Sequence, residues 1–175
     1  MKGWLTIVLF YFGFLPVSGK AQSVFKEYKV GHPFTIKLPD YMQKTIGLNE
    51  AAVFQFKCAD KDMAGIVMVD SKDELRMAGL TFANPEEFYA DFVKDFLVEE
   101  ESKKITLPLS KEMGPLNFVE AEASYLDKEL KMEIAYFLGV VETPLAFYQL
   151  LCWGSIENKK KYKPDFQAIL YSIRD

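Results

Sequence analysis

Residues 116–153 read LNFVEAEASYLDKELKMEIAYFLGVVETPLAFYQLLCW. Val119, Ala121, Ala123 and Tyr125 alternate with Glu120, Glu122 and Ser124, the period of two that marks a strand with unlike faces. Residues 131–141 alternate more loosely, and 146–153 are apolar apart from Gln149. Glu142-Thr143-Pro144-Leu145 is the turn between these last two segments. Successive strands with short connections and no helix between them pair antiparallel.

The flanking segments extend the same pattern. Residues 24–30 and 33–38 read as a strand pair broken at Gly31-His32-Pro33, with Phe34, Ile36 and Leu38 on one face. Residues 40–49 have no clear period and read as a loop with a helical turn. Phe54, Phe56 and Cys58 share one face of a strand over 53–58, and Asp60-Lys61-Asp62 is a hairpin tip. The strand after it, Ala64 to Val69, is apolar on both faces and belongs in the middle of a covered sheet. Pro108 places 105–109 at an edge.

Two helices are well signalled, and a third is short. Asn84-Pro85-Glu86-Glu87 combines an N-cap, a first-turn proline and a capping glutamate. Phe88, Phe92 and Phe96, with Tyr89, Val93 and Leu97, form its apolar stripe, and Glu99-Glu100-Glu101 ends that helix. Ser71-x-x-Glu74 caps a short helix at 72–78. Near the C-terminus Phe166, Ile169, Leu170 and Ile173 recur at helical spacing, with Pro164 opening or restarting the helix. This segment is expected to cover one sheet face, including the neighbourhood of Trp153, while Lys159 to Lys161 face water. The fold class is therefore α+β, a mostly antiparallel sheet covered by helices.

Residues 1–21 read as a secretory signal. Lys2 gives a basic start, Leu5 to Leu15 is uncharged and apolar, and Gly19-Lys20-Ala21 supplies small residues at a cleavage site after Ala21. As a helix the apolar run spans about 16 Å, well short of the ~30 Å hydrocarbon core. No later stretch is long enough to span a membrane, so 22–175 is expected to form a single domain in the periplasm or outside the cell. Its composition, 50% hydrophobic and 26% charged, excludes disorder and an integral membrane bundle. The net charge of −4 becomes more negative once Lys2 and Lys20 are removed, which argues against nucleic acid as a partner.

The sequence is poor in catalytic and metal-binding patterns. His32 is the one histidine, set in a Gly-His-Pro turn, and CxxC, HExxH, GxSxG, P-loop and GxGxxG patterns are absent. Asp60/Asp62 and Asp70/Asp73/Glu74 lack the spacing of a calcium loop and read as turn and cap residues. Glu120, Glu122, Glu129 and Glu133 would be the carboxylates of a hydrolase, but their alternation reads first as a solvated sheet face. Cys58 and Cys152 could form one disulfide, worth roughly 4–5 kcal/mol by chain entropy; two separate buried thiols are the expected state. Glu99, Glu100 and Glu101 are the candidate partner-binding surface. No cofactor and no catalytic activity is expected.

The pattern resembles the PsbP-like superfamily of α/β/α sandwiches, which includes the DcrB-type envelope proteins. The resemblance rests on Phe34-Thr35-Ile36-Lys37-Leu38-Pro39, the pair 53–58 and 66–69, and the helix start Pro85-Glu86-Glu87-Phe88-Tyr89. Ile134-Ala135-Tyr136, Phe147-Tyr148-Gln149 and the closing 162–172 complete it. It implies a non-catalytic docking or assembly module for an envelope protein. The alternative is a carrier that holds a small hydrophobic ligand or lipid in a cavity between sheet and helices.

Overall fold

The computed structural model describes residues 23–30, 34–100 and 102–175; residues 1–21, read above as a signal, His32 and Glu101 lie outside them. Strands β1 (Phe25–Lys29) and β2 (Thr35–Pro39) pair as an antiparallel ribbon. A second, larger antiparallel sheet is built from β3 (Gln43–Lys44), β4 (Phe54–Cys58), β5 (Met63–Ser71), β6 (Lys104–Ile105), β7 (Leu109–Met113), β8 (Leu116–Asp127), β9 (Met132–Glu142) and β10 (Ala146–Ser155). The spatial order is β3-β4-β5-β10-β9-β8, with β6 and β7 sharing the outer side of β8. Pro108 falls in the break between those two short edge strands. Among the described residues three α-helices complete the fold: α1 (Lys72–Met77), α2 (Pro85–Lys94) and α3 (Ile156–Leu170).

The sheet is buried on both sides, as the long apolar segment 146–153 requires. Every residue from Ala146 to Cys152 is buried. On one face Phe54, Phe56, Val67, Phe137, Leu150 and Cys152 pack under α3 and the β1–β2 ribbon, which contribute Phe166, Ile169, Leu170, Ile36 and Leu38. On the other, Ile66, Leu138, Val140, Phe147 and Leu151 pack under α2 through Phe88 and Tyr89, with Leu75 of α1 beside them. Phe88 stacks on Phe147 with ring centroids 4.5 Å apart. This is the expected α/β/α sandwich.

Glycine sets how closely α3 approaches. Gly139 lies in β9 opposite Leu150, and a Cβ there would come within 2.7 Å of the Leu170 side chain. Only hydrogen at this point leaves room for Leu170 to sit on the sheet.

Several boundaries differ from expectation. The segment 40–49 holds β3 rather than a helical turn. Helix α2 stops at Lys94; Leu97 turns back with φ of +53°, so Glu99 and Glu100 lie in the following turns and not on the helix. Helix α3 starts at Ile156, where the Ser155 hydroxyl caps it by accepting from the Asn158 amide, and Pro164 lies inside it. A proline leaves the carbonyl four residues earlier without its helical donor. Here that residue is Lys160, and both Lys160 and Pro164 are exposed, so water can serve that carbonyl.

Cys58 and Cys152 are buried and unbonded. They sit on β4 and β10, the two strands flanking β5, opposite Met63 and Gly65 respectively. Two strand spacings separate their backbones by roughly 10 Å, beyond the ~7 Å reach of a disulfide. Burial holds the Cys152 thiol well above its ordinary pKa.

This packing makes α3 essential to the sandwich. Phe166→Ala is expected to cost about 3–5 kcal/mol and Gly139→Ala about 1–3 kcal/mol, whereas Lys160→Ala should leave stability unchanged. Urea unfolding followed by circular dichroism measures all three, and an unaltered midpoint for Phe166→Ala would mean that α3 does not hold the sheet.

Candidate functional site

The carboxylates of β8 are not a solvated face. Leu116 and Phe118 share their side of the strand with Glu120, Glu122 and Ser124, and that side lies under α3. Lys159, Lys163, Gln167 and Tyr171, four residues apart along and just past α3, form a polar ridge above them. Gln167 Nε2 donates to Glu120 Oε1 at 2.6 Å and Tyr171 Oη to Glu120 Oε2 at 2.7 Å. Lys159 and Lys163 both pair with Glu122. Glu120 is only 7% exposed. Glu133 is half-buried and accepts from Ser124 Oγ at 2.8 Å, while Glu129 is exposed. Of the lysine run expected to face water, Lys160 and Lys161 do; Lys159 does not. The missed signal was the i, i+4 polar ladder on α3, which matches the Glu-x-Glu spacing of β8.

These contacts fix the carboxylates as a clamp between layers. Burial pushes the Glu122 carboxyl up, but hydrogen bonds and charge from Lys159 and Lys163 outweigh it and hold the group below its ordinary range. Burial raises the Tyr171 pKa, and the bond to Glu120 raises it further.

Of the other acidic groups read as turn and cap residues, Asp60/Asp62 and Asp73/Glu74 are so, whereas Asp70 lies within β5. Asp60 and Asp62 belong to a tight turn, with Asp62 at φ +46°. Ser71 caps α1, Arg76 pairs with Asp73, and Asp70 accepts from Gln149 Nε2 at 2.7 Å.

An open site lies on the other face. Trp153 points to the α2 side of the sheet, not the α3 side, and is only partly buried among Tyr136 and its neighbours. Helix α2 packs on β8 and β9, and α1 follows the far end of β5. On the opposite face Asn158 of α3 donates to the Lys61 carbonyl in the turn between β4 and β5, but on this face neither α1 nor α2 covers the corner where β4 ends and β5 begins. Trp153, Leu48, Leu130, Met132, Ile134 and Ala64 line a groove of about 350 Å³ there, bordered by Lys57 and Asp62.

Both walls of this groove are held in place. Gln55 Oε1 accepts from the amides of Leu48 and Asn49 at 2.6 and 3.2 Å, and its Nε2 donates to the Asn49 carbonyl at 2.8 Å. Opposite, Asp127 Oδ1 accepts from the Glu129 and Leu130 amides at 2.9 and 2.8 Å. Leu130 is nevertheless 64% exposed, an apolar side chain presented to solvent on a fixed turn.

From Trp153 a row of rings crosses the sheet. Tyr136 lies 6.2 Å from Trp153, and Tyr125 stacks 6.3 Å beyond it. Phe96 meets Tyr136 edge-on at 5.2 Å. Burial and the neighbouring Tyr125 push the Tyr136 hydroxyl up to about 12, and the charges of Glu100 and Asp127 add to the shift. Tyr125 is raised by burial, then by Asp127 and Glu100. One of the acids singled out from sequence meets the structure here: half-buried Glu100 borders the aromatic row, and Glu99, before it in the chain, is exposed. Two further clefts carry charge, the first basic and the second mixed. One, of about 240 Å³, lies between Lys72, Arg76 and Phe147; the other, of about 450 Å³, lies between Glu86, Lys111 and Glu112.

The clamp has a pH signature. A carboxylate whose pKa is depressed on folding stabilises above its unfolded value and loses that contribution as pH falls through the folded one. Glu122→Gln should therefore destabilise at neutral pH, and the gap from wild type should close as pH drops below Glu122's ordinary value of 4.5. Urea midpoints across that range test this, and a constant gap would exclude an ionic clamp.

No protein-family profile matches the chain, and no curated protein matches its sequence. Solved structures do. The cyanobacterial PsbP protein CyanoP from Synechocystis sp. PCC 6803 aligns over 93% of this chain and 98% of its own, with a TM-score of 0.62 and 11% identity. LpqN of Mycobacterium tuberculosis, described as involved in cell envelope biogenesis, aligns over 86% and 89% with a TM-score of 0.59 and 10% identity. At such identities the likeness is one of backbone arrangement. With its antiparallel sheet between helical layers, the chain has the PsbP-like fold.

Proposed function

We propose that this protein is an exported, non-catalytic docking domain that binds an envelope protein through the Trp153 groove. The carrying observation is the groove itself, a fixed apolar recess with a partly open tryptophan on a sheet corner that neither α1 nor α2 covers. Contact residues of this kind dominate binding energy when a partner seals them from water. The signal pattern of residues 1–21 supports export, and the fold shared with LpqN, a protein described by its role in envelope biogenesis, agrees with an extracytoplasmic setting. Two of the acids that could serve a hydrolase, Glu120 and Glu122, are tied to lysines, glutamine and tyrosine between layers, which favours docking over catalysis.

A second reading keeps the same recess. At about 350 Å³ it falls at the low end of small-molecule sites, so a small hydrophobic ligand or lipid would lie there, on the sheet corner, rather than between sheet and helices. Native mass spectrometry of gently purified protein separates the readings: added mass supports the carrier, and polypeptide mass alone supports docking.

Two outcomes are expected in the native host. Mature protein should begin at Gln22 in the extracytoplasmic fraction, and an intact Met1 in the cytosol would refute export. A photo-crosslinking residue at position 153 should give one discrete protein adduct, and the same residue at position 160 none. Identical patterns at both positions would refute the groove as the contact.

A further inference from the structure

We infer that the groove receives a basic amphipathic segment of the partner, with an apolar side chain against Trp153 and a lysine or arginine laid over the Tyr136–Tyr125 rings toward Glu100, Glu99 and Asp127. The inference rests on the docking reading above and adds the chemistry of the partner. An apolar anchor follows from the lining, since Leu48, Leu130, Met132, Ile134 and Trp153 present hydrocarbon and an indole.

The cation follows from what adjoins that lining. Ile134 lines the groove and lies opposite Tyr125 on the neighbouring strand, so groove and aromatic row are one continuous surface. Aromatic faces carry negative quadrupole charge and attract ammonium and guanidinium groups. Glu100 and Asp127 lie close enough to shift both tyrosines, so the row sits in a negative field. Exposed Glu99 adds to it, and the whole protein carries −4.

Direction and spacing follow as well. Lys57 and Asp62 stand together at the β4–β5 end of the groove and offset one another, so the net negative border lies at the Tyr125 end. The ring-to-ring steps of 6.2 and 6.3 Å are covered by an extended chain of about four residues at ~3.3 Å each. The basic residue therefore stands about four positions from the apolar anchor.

The test uses two fluorescent synthetic peptides, one of leucines and arginines at that spacing and a twin with glutamate in place of each arginine. Anisotropy against the purified protein should show the arginine peptide binding at least tenfold more tightly than its twin, with affinity falling as salt rises. Glu99→Gln with Glu100→Gln should weaken the arginine peptide about five- to tenfold, Trp153→Ala should abolish binding, and Lys160→Ala should change nothing. Trp153→Phe, which keeps a ring in place, guards against misfolding and should retain partial binding. Equal affinity for both peptides, or no effect of the double glutamine variant, would overturn the basic partner while leaving the crosslink at position 153 to support docking. Binding of neither peptide, or of phosphatidylcholine vesicles in their place, would also overturn it.

Discussion

A strand pair that is apolar on both sides cannot face water on either, and this constraint organises the molecule. β10 lies between β5 and β9 with every side chain from Ala146 to Cys152 buried. At about 25 cal/mol per Å² of apolar surface, leaving one face of such a strand wet would forfeit several kcal/mol. Two covering layers are therefore obligatory. The chain supplies α3 and the β1–β2 ribbon on one side, and α1 and α2 on the other. The second layer is the thinner one, and it stops short of the corner where Trp153 stands. The open site is thus a consequence of how unequal the two covers are.

The thicker layer is held by more than apolar contact. Leu170 seats on the bare backbone of Gly139, and beside it the Lys159–Lys163–Gln167–Tyr171 ridge meets Glu120 and Glu122. Ion pairs of this half-buried kind recover little net energy after desolvation, whereas removing one partner is costly. Their effect is positional. Sliding α3 by one turn would leave Glu122 without its lysines and Glu120 without its donors, so the seam selects one register where hydrophobic contact alone would tolerate several.

The period-two alternation of β8, the doubly apolar β5 and β10, and the Asn84-Pro85 helix start were legible because each reflects a local rule. What escaped were facts about neighbours. Alternation says that Glu120 and Glu122 point the same way, but not that a helix lies over them. Parity places Trp153 on the side opposite Cys152, yet which side α3 takes depends on the long-range order of the sheet. Pro164 reads as a helix boundary because interior prolines usually break helices. It is accommodated here because Lys160, whose carbonyl it leaves unbonded, is at the surface. Glu99 and Glu100 were noticed for their charge, and their place beside Tyr125 and Tyr136 depends on α2 ending early at Lys94.

The distribution of shifted ionisable groups bears on what the surface can do. Strong perturbation in a cleft is a usual mark of acid–base chemistry. Here the Cys152 thiol is raised by burial in the core, and the tyrosines shifted most lie in contacts that join layers: Tyr41 donates to Asp165 at 2.5 Å between the loop after β2 and α3, and Tyr171 donates to Glu120 between α3 and β8. Each such group is already committed to a partner within the fold. At the Trp153 corner the raised tyrosines are stacked rings whose hydroxyls are driven further from ionisation by burial and by nearby carboxylates, which disfavours proton transfer at neutral pH. What that corner offers instead is a fixed recess, three ring faces and a negative border. Those features agree with the docking role proposed above.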